Sequence, residues 1–230
     1  MRNKTNRTLI IPAAGTASRM RGLPKFLLPT NSPNVSLIER HLLQLRNHFD
    51  EILIGVNPDF SKLIRTVLPE DEKLKIHDIS TQTMMETVSK LTELSDSNYF
   101  VLIMPDTFFS KYDSLLQFLD LDFQEEASLI CWKIQEFQLG KLGQVKLDKN
   151  NRLVDIQDKN PLCDYNLFWG ATSFTRGHLE SARNSDPHIG YLFQRLIEHG
   201  TCVMGVEVDG DYFDCGTQDE YIRMLLNSRD

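Results

Sequence analysis

The first half of the chain alternates apolar runs of strand length with segments of helical periodicity. Residues 8–13, 51–56 and 98–104 are predicted strands, and capping boxes at Ser36 and Thr83 open helices between them. A helix over residues 61–68 and a strand over residues 73–79 complete the series. This order predicts an α/β fold, because parallel strands need crossover helices on the faces of their sheet. We expect a three-layer, Rossmann-like α/β/α domain with a mostly parallel mixed sheet.

Beyond Asp120 the pattern becomes richer in strands. Four strand-like runs occupy residues 128–134, 143–147, 152–156 and 167–174, with a turn-like Asp148-Lys149-Asn150-Asn151 between the second and third. Asp186-Pro187 is predicted to cap a helix to about His199, a strand follows at 202–208, and a capping box at Thr217 opens the last helix. The expected organisation is one domain of 230 residues, with halves of about 1–120 and about 121–230.

The segment after the first strand has the composition of a phosphate-binding loop. The strand ends in Pro12-Ala13-Ala14-Gly15-Thr16, and Arg19, Arg21 and Lys25 follow. Small residues let backbone N–H groups approach an anion closely, and basic side chains neutralise it. The loop is neither a Walker P-loop nor a G-x-G-x-x-G turn, which disfavours a dehydrogenase. The alternative is an ordinary strand-to-helix loop with solvated basic residues.

Composition narrows the classes of partner. The formal net charge of -7 argues against general nucleic-acid binding, which needs a basic surface. No apolar run is long enough to span a bilayer. The apolar run near the N-terminus is too short for a signal peptide. The four cysteines lack C-x-x-C spacing and the six histidines lack metal-site spacing. We expect a cytoplasmic protein without a His/Cys metal centre.

Two aspartates follow strand-like runs and are candidate metal ligands. Asp106 follows the strongly apolar run of residues 98–104, and Asp214 precedes the last helix. A carboxylate at the carboxyl end of a strand, beside a phosphate loop, suits Mg²⁺, which takes oxygen ligands and often only one or two from protein. In the alternative interpretation both aspartates are turn residues, where Asp is also favoured.

Taken together, these segments resemble the nucleotidyltransferases that make nucleoside-diphosphate sugars. The family's G-x-G-T-R-M and P-K signature is matched by residues 15–20 and Pro24-Lys25, and its late D-x-G-T-P-x-x-Y segment by residues 214–221. Its Y-G-V-V hairpin and I-x-E-K-P segment are matched across residues 142–161. The resemblance implies the nucleotide-diphospho-sugar transferase fold, with a nucleotide-binding first half and an acceptor-binding second half.

The resemblance also implies roles for individual residues. Arg19 would hold the leaving phosphates, Lys25 the α-phosphate and Lys159 the phosphate of the acceptor, while Asp106 and Asp214 would share one Mg²⁺. The nucleotide would lie against Ala13, Ala14, Gly15, Thr16, Gln82 and Thr83. The acceptor would lie against Gly143, Asp158, Lys159 and Gly170.

The expected reaction joins an NTP to a phosphorylated acceptor, foremost a sugar 1-phosphate, and releases pyrophosphate. Three alternatives stay open: a cytidylyltransferase acting on a non-sugar phosphate such as phosphocholine, a non-catalytic nucleotide-sensing homologue, and a glycosyltransferase. The last would need a D-x-D motif after a central apolar strand, and those at Asp120-Leu121-Asp122 and Asp209-Gly210-Asp211 are placed elsewhere. A homodimer is compatible with the resemblance, although no sequence feature marks an interface.

Overall fold

A computed structural model describes residues 6–120, 126–183 and 185–228, with the backbone alone for Arg19 and Asp120. The strands are β1 (Arg7–Ala13), β2 (Glu51–Val56), β3 (Leu74–Asp78), β4 (Tyr99–Ile103), β5 (Thr107–Phe109), β6 (Ala127–Lys133), β7 (Gly143–Leu147), β8 (Leu153–Asp158), β9 (Leu167–Thr175), β10 (Val203–Glu207) and β11 (Tyr212–Asp214). The helices are α1 (Leu37–Leu45), α2 (Pro58–Val67), α3 (Met84–Glu93), α4 (Asp113–Asp120), α5 (Gly190–Glu198) and α6 (Gln218–Asn227).

One large mixed sheet organises the described residues. Its strand order is β10-β6-β9-β4-β1-β2-β3, and the β7–β8 hairpin joins it through β9. The pairs β4–β1, β1–β2, β2–β3 and β10–β6 are parallel, whereas β9 runs antiparallel to both β4 and β6. The short strands β5 and β11 form a separate antiparallel pair. The carboxyl ends of β1 and β4 therefore lie side by side.

Side chains alternate between two buried clusters on the faces of this sheet. Leu9 and Ile11 of β1 pack into the cluster that includes α1, α2 and α4, whereas Ile10 packs into the cluster that includes α3 and α5. Successive strand residues point to opposite faces, so a continuous apolar run indicates a strand covered on both sides. A third, smaller cluster joins α6 to β5 and β11.

The helix starts follow the capping signals. The Ser36 side chain accepts from Glu39 N, and the Glu39 carboxylate accepts from Ser36 N at 2.9 Å, which makes a complete capping box. Thr83 and Thr217 accept from Glu86 N and Glu220 N in the same way. Helix α2 starts at Pro58, earlier than predicted, because Asn57 caps it and Pro favours the first helical position.

Asp186-Pro187 is not the start of a helix, contrary to the sequence prediction. Helix α5 begins at Gly190 without a side-chain cap. Asp186 is 3% exposed, and its carboxylate accepts from Arg183 N and pairs with Arg195. A charged guanidinium stabilises a buried carboxylate more than the backbone N–H groups of an exposed helix end would, which explains the difference. The sequence pattern did not show α4 or β5, whereas the short strand-like run before Asp214 corresponds to β11.

Among the residues that the structure describes, no helix has both the length and the apolarity needed to cross a membrane.

Candidate active site

A cavity of about 260 Å³ opens at the carboxyl ends of β1 and β4. Its walls come from residues 12–15, 24–26, 81–84 and 104–106, together with Ala17 and Thr87. We call it the first cavity. It lies where ligands bind in open α/β sheets, beyond the ends of the parallel strands.

Lys25 and Asp106 meet in the first cavity. Lys25 Nζ lies 2.8 Å from Asp106 Oδ2, and the two side chains are 13% and 16% exposed. Lys25 begins a short 3-10 turn, Lys25–Leu27, which the buried Phe26 anchors in the core. Asp106 lies three residues beyond the end of β4. Two residues 81 positions apart in the sequence thus place opposite charges at one point of the cavity wall.

Asp214 lies beside this point on β11 but does not line the first cavity. It pairs in register with Thr107, and Cys215 N donates to the Asp106 carbonyl at 2.9 Å. Burial raises the pKa of the Cys215 thiol, and the carboxylates of Asp106 and Asp214 raise it further. The carboxylates of Asp106 and Asp214 therefore both influence the Cys215 thiol.

The two aspartates fit a magnesium site. A Cβ on Gly216 would lie 2.9 Å from Asp214 Oδ1, so the glycine leaves the space that this carboxylate occupies. No cluster of three or more His, Cys, Asp or Glu that could hold a metal occurs among the described residues. Two carboxylates suffice for Mg²⁺, which is usually completed by water and substrate phosphates. The donor set suits that ion better than a transition metal.

A fully buried histidine lies behind Asp106. His41 Nδ1 is 2.8 Å from the Tyr112 hydroxyl, and His41 Nε2 is 3.3 Å from the Thr107 hydroxyl. Burial lowers the pKa of His41 to about 4, although the Thr107 and Met104 carbonyls and the Asp106 carboxylate act to raise it. His41 is therefore uncharged near neutral pH.

The predicted nucleotide-binding residues lie mostly around the first cavity. Ala13, Ala14, Gly15, Gln82 and Thr83 line it. Thr16 is exposed and is not part of its wall, and the Arg19 side chain lies outside the described part of the chain. The Gln82 side chain is exposed at the start of α3, where Gln82 N donates to the Glu86 carboxylate.

A second cavity of about 120 Å³ lies on the α5 side of the sheet. The ring of His188 lies in its wall, and His188 Nε2 is 3.1 Å from Asp158 Oδ2. The centroids of the His188 and Tyr191 rings are 4.8 Å apart. Gly190 N donates to His188 Nδ1 at 3.1 Å, so a neutral ring has its proton on Nε2, facing Asp158. The His188 imidazole, 3.1 Å away, lowers the pKa of Asp158, whereas burial acts to raise it. Trp169 forms a further wall.

The two cavities are neighbours. Met84 N, at the start of α3 and in the wall of the first cavity, donates to the Pro187 carbonyl at 3.1 Å. The next residue is His188, which lines the second cavity. One hydrogen bond and one peptide unit thus connect Met84, in the wall of the first cavity, to His188, in the wall of the second.

The remaining predicted acceptor residues, Gly143, Lys159 and Gly170, do not line the second cavity. Lys159 is exposed after β8, with a φ of 49° and its N–H donated to the Leu142 carbonyl. A Cβ on Gly143 would meet Trp169 Nε1 at 2.2 Å, and one on Gly170 would meet the Tyr212 ring at 2.3 Å. Both glycines make room for aromatic side chains, and Gly170 does so on the opposite face from Trp169.

Sequence reasoning missed His41 and His188. The sequence contained a clue to the role of His41, because this residue occupies a buried position in the apolar stripe of α1, between Ile38 and Leu42. A histidine in such a stripe must have hydrogen-bond partners in the core. The sequence contained no such clue for His188, since its partner Asp158 is remote in sequence.

The sequence profile of the MobA-like NTP transferase domain matches residues 9–154, more than half of the chain. The chain belongs to this family. The match covers β1 through the start of β8 and thus includes both Lys25 and Asp106. Membership in the MobA-like NTP transferase family confirms the resemblance to nucleotidyltransferases. Comparison with curated protein sequences gave no match.

Solved structures share the fold over nearly the whole chain. A protein of Bacillus anthracis described as a glucose-1-phosphate thymidylyltransferase, solved with sucrose, has a TM-score of 0.83 at 16% identity, covering 97% of this chain and 96% of its own. A UDP-glucose pyrophosphorylase solved with UDP-glucose has a TM-score of 0.78 at 17% identity, with 96% and 98% covered. An inositol-1-phosphate CTP transferase from T. maritima has a TM-score of 0.75 at 18% identity, with 96% and 95% covered. The predicted fold class is confirmed.

Proposed function

We propose that this chain transfers a nucleotidyl group from an NTP to a phosphorylated acceptor with Mg²⁺, and that the acceptor is a sugar 1-phosphate or a similar polyhydroxylated phosphate. The observation that carries the proposal is the Lys25–Asp106 pair in the wall of the first cavity, 2.8 Å apart. A cation and a metal-binding carboxylate at the end of a small-residue loop match the needs of a polyphosphate.

The reaction needs positioning and charge neutralisation more than covalent help from the protein. An oxygen of the acceptor phosphate attacks the α-phosphorus, the bond from that phosphorus to the bridging oxygen breaks, and pyrophosphate leaves. Lys25 would neutralise the α-phosphate, and the backbone at residues 13–15 would lie along the phosphates. Arg19 would hold the leaving group, and Lys159 would align the attacking phosphate. Asp106 and Asp214 would hold Mg²⁺, which neutralises phosphate oxygens when bound.

The second cavity supports a polyhydroxylated acceptor. The Asp158 carboxylate and the His188 imidazole offer hydrogen bonds to hydroxyl groups, and Trp169 and Tyr191 offer flat apolar surfaces. This cavity adjoins the first through the bond from Met84 N to the Pro187 carbonyl. The solved neighbours named for glucose 1-phosphate, UDP-glucose and inositol 1-phosphate agree with this substrate class.

The first experiment is a pyrophosphate-release assay with Mg²⁺. It scans ATP, CTP, GTP, UTP and dTTP against sugar 1-phosphates, inositol 1-phosphate and phosphocholine. We expect release from one NTP–acceptor pair, reduced about 100-fold or more in Lys25→Ala and in Asp106→Asn, because each removes a charge aimed at the reacting phosphates. Matched controls are Lys149→Ala and Asp209→Asn, which change exposed residues outside both cavities and should keep wild-type turnover.

Near-normal turnover in Lys25→Ala or Asp106→Asn would refute these assignments. NTP binding measured by calorimetry, without release from any pair, would favour the nucleotide-sensing homologue instead. Release with CTP and phosphocholine alone would retain the transferase and reject the polyhydroxylated acceptor.

A further inference from the structure

The residues behind Asp106 form a chain of hydrogen bonds through the core. His41, Thr107 and Tyr112 are 0%, 1% and 5% exposed, and they belong to α1, β5 and the turn before α4. The His41 ring also packs on Phe109, with centroids 5.0 Å apart. Polar groups at such a depth are unfavourable unless they are hydrogen-bonded, so each donor must have a defined acceptor.

The direction of each of these hydrogen bonds follows from the one at the end of the series, between Thr107 and Met104. Thr107 Oγ1 lies 2.9 Å from the Met104 carbonyl, which can only accept, so the hydroxyl proton points there. The Thr107 oxygen is then an acceptor for His41 Nε2–H, and the Thr107 and Met104 carbonyls also act on the same ring. This leaves His41 Nδ1 bare, and it accepts from the Tyr112 hydroxyl at 2.8 Å. The bonds run in one direction, from Tyr112 through His41 and Thr107 to Met104.

This series of hydrogen bonds ends at the turn of residues 104–107, which carries Asp106. The bond from the Thr107 hydroxyl to the Met104 carbonyl closes this turn, and Asp106 lies inside it. Cys215 N holds the same turn from the other side by donating to the Asp106 carbonyl. The Asp106 side chain leaves the turn toward Lys25. The direction in which that carboxylate points therefore depends on a turn fixed by buried neutral hydrogen bonds.

We infer that His41 is a positioning residue, which acts through the Thr107 hydroxyl to fix the turn at residues 104–107 and thereby aims the Asp106 carboxylate into the first cavity. The inference rests on the proposed function, in which Asp106 holds the metal. Partners that orient a metal-binding carboxylate typically change metal affinity or activity by about 10-fold to 100-fold when removed. Tyr112 completes the arrangement by fixing the tautomer of His41.

Three threonine variants test the inference. Thr107→Val removes the hydroxyl at nearly constant volume, and Thr107→Ser restores it. The matched control is Thr92→Val, since Thr92 is 2% exposed and its hydroxyl also donates to a carbonyl three residues earlier, at 2.8 Å, in α3. The readouts are kcat, the Mg²⁺ concentration for half-maximal rate, and Mn²⁺ affinity by electron paramagnetic resonance with a non-hydrolysable NTP.

We expect Thr107→Val to weaken Mn²⁺ affinity and to raise the Mg²⁺ requirement about 10-fold. Thr107→Ser should restore both, and Thr92→Val should leave both at wild-type values. Wild-type metal dependence in Thr107→Val, or an equal loss in Thr92→Val, would overturn the inference.

A second measurement on the unaltered protein needs no turnover. Nitrogen-15 NMR of protein labelled in its histidine rings, with His41→Gln used to assign the signal, reports the tautomer of His41. We expect a proton on Nε2 and none on Nδ1 between about pH 6 and pH 8, because the pKa of His41 lies well below that range. A proton on Nδ1 would refute the hydrogen-bond chain. Absence of pyrophosphate release from wild-type protein would instead refute the proposed function, and the tautomer and the Mn²⁺ affinity would still decide the inference.

Discussion

Gly143 and Gly170 each leave space for an aromatic side chain. The resemblance assigns both to acceptor binding, and this role stays a prediction. Their immediate neighbours are aromatic side chains: the Trp169 indole covers Gly143, and the Tyr212 ring covers Gly170. Trp169 in turn forms a wall of the second cavity. Gly143 therefore influences that cavity through the position of the indole.

Gly143→Ala should lower stability and weaken acceptor binding together. A Cβ at this position would meet Trp169 Nε1 at 2.2 Å, so the indole must move. We expect a loss of about 1–3 kcal/mol in the free energy of unfolding, as for other overpacked sites, measured by urea denaturation. The KM for the acceptor should rise, whereas that for the NTP should not change.

The control is Gly177→Ala, whose Cβ would meet only the Thr175 hydroxyl, at 3.8 Å. Equal stability losses in the two variants would show that packing against Trp169 is not the cause.

At the scale of elements, residues 186–188, between β9 and α5, contact three different elements. Asp186 pairs with Arg195 of α5, the Pro187 carbonyl accepts from Met84 N of α3, and His188 faces Asp158 of β8. The segment thus joins a helix that borders the first cavity to the hairpin that borders the second. Its shape is set by a buried ion pair, and the sequence suggested a helix cap there instead.

Asp186→Asn should destabilise the protein in a pH-dependent way. Burial acts to raise the pKa of Asp186, but hydrogen bonds from Arg195 and Arg183 N outweigh it and hold this pKa below its ordinary value of 3.8. The ionised carboxylate therefore contributes stability that is complete above the unfolded pKa and is lost as the pH falls through the lowered folded pKa. Near pH 7 the variant should lose about 3 kcal/mol, since Arg195 is left without its charged partner.

Urea denaturation of both proteins between about pH 3 and pH 8 checks this expectation. The difference in the free energy of unfolding should be constant above about pH 5 and should shrink below about pH 4. A difference that grows toward acid would contradict the assignment of an ionised Asp186 in the folded state.

For the whole molecule, the central feature is the position of β9. It lies between β4 of the first half and β6 of the second, antiparallel to both, with five residue pairs to β4. Neither half can complete the sheet alone. The expectation of a single domain follows from this pairing and remains to be measured.

We expect one cooperative unfolding transition. The two tryptophans, Trp132 and Trp169, lie in the second half, and Trp132 stacks on Phe109 of the first half with ring centroids 5.0 Å apart. Their fluorescence therefore reports on the second half and on its contact with the first. Far-ultraviolet circular dichroism reports on both halves. Coincident denaturation curves from the two probes are the result expected of two-state unfolding. Denaturation curves from the two probes that do not coincide would contradict a single cooperative transition.

The sequence by itself determined the α/β architecture, because long apolar strands and amphipathic helices have distinct periods and the capping residues mark helix starts. It also placed Gly15 and Asp106 at one edge, since the carboxyl ends of parallel strands meet there. The short strand β5 left no such signal, because three residues are too few to show a period. Only the tertiary structure decided the partners of His41, the pairing of His188 with Asp158 and the buried ion pair of Asp186, since hydrogen bonds and charge pairs depend on distances between segments far apart in the chain.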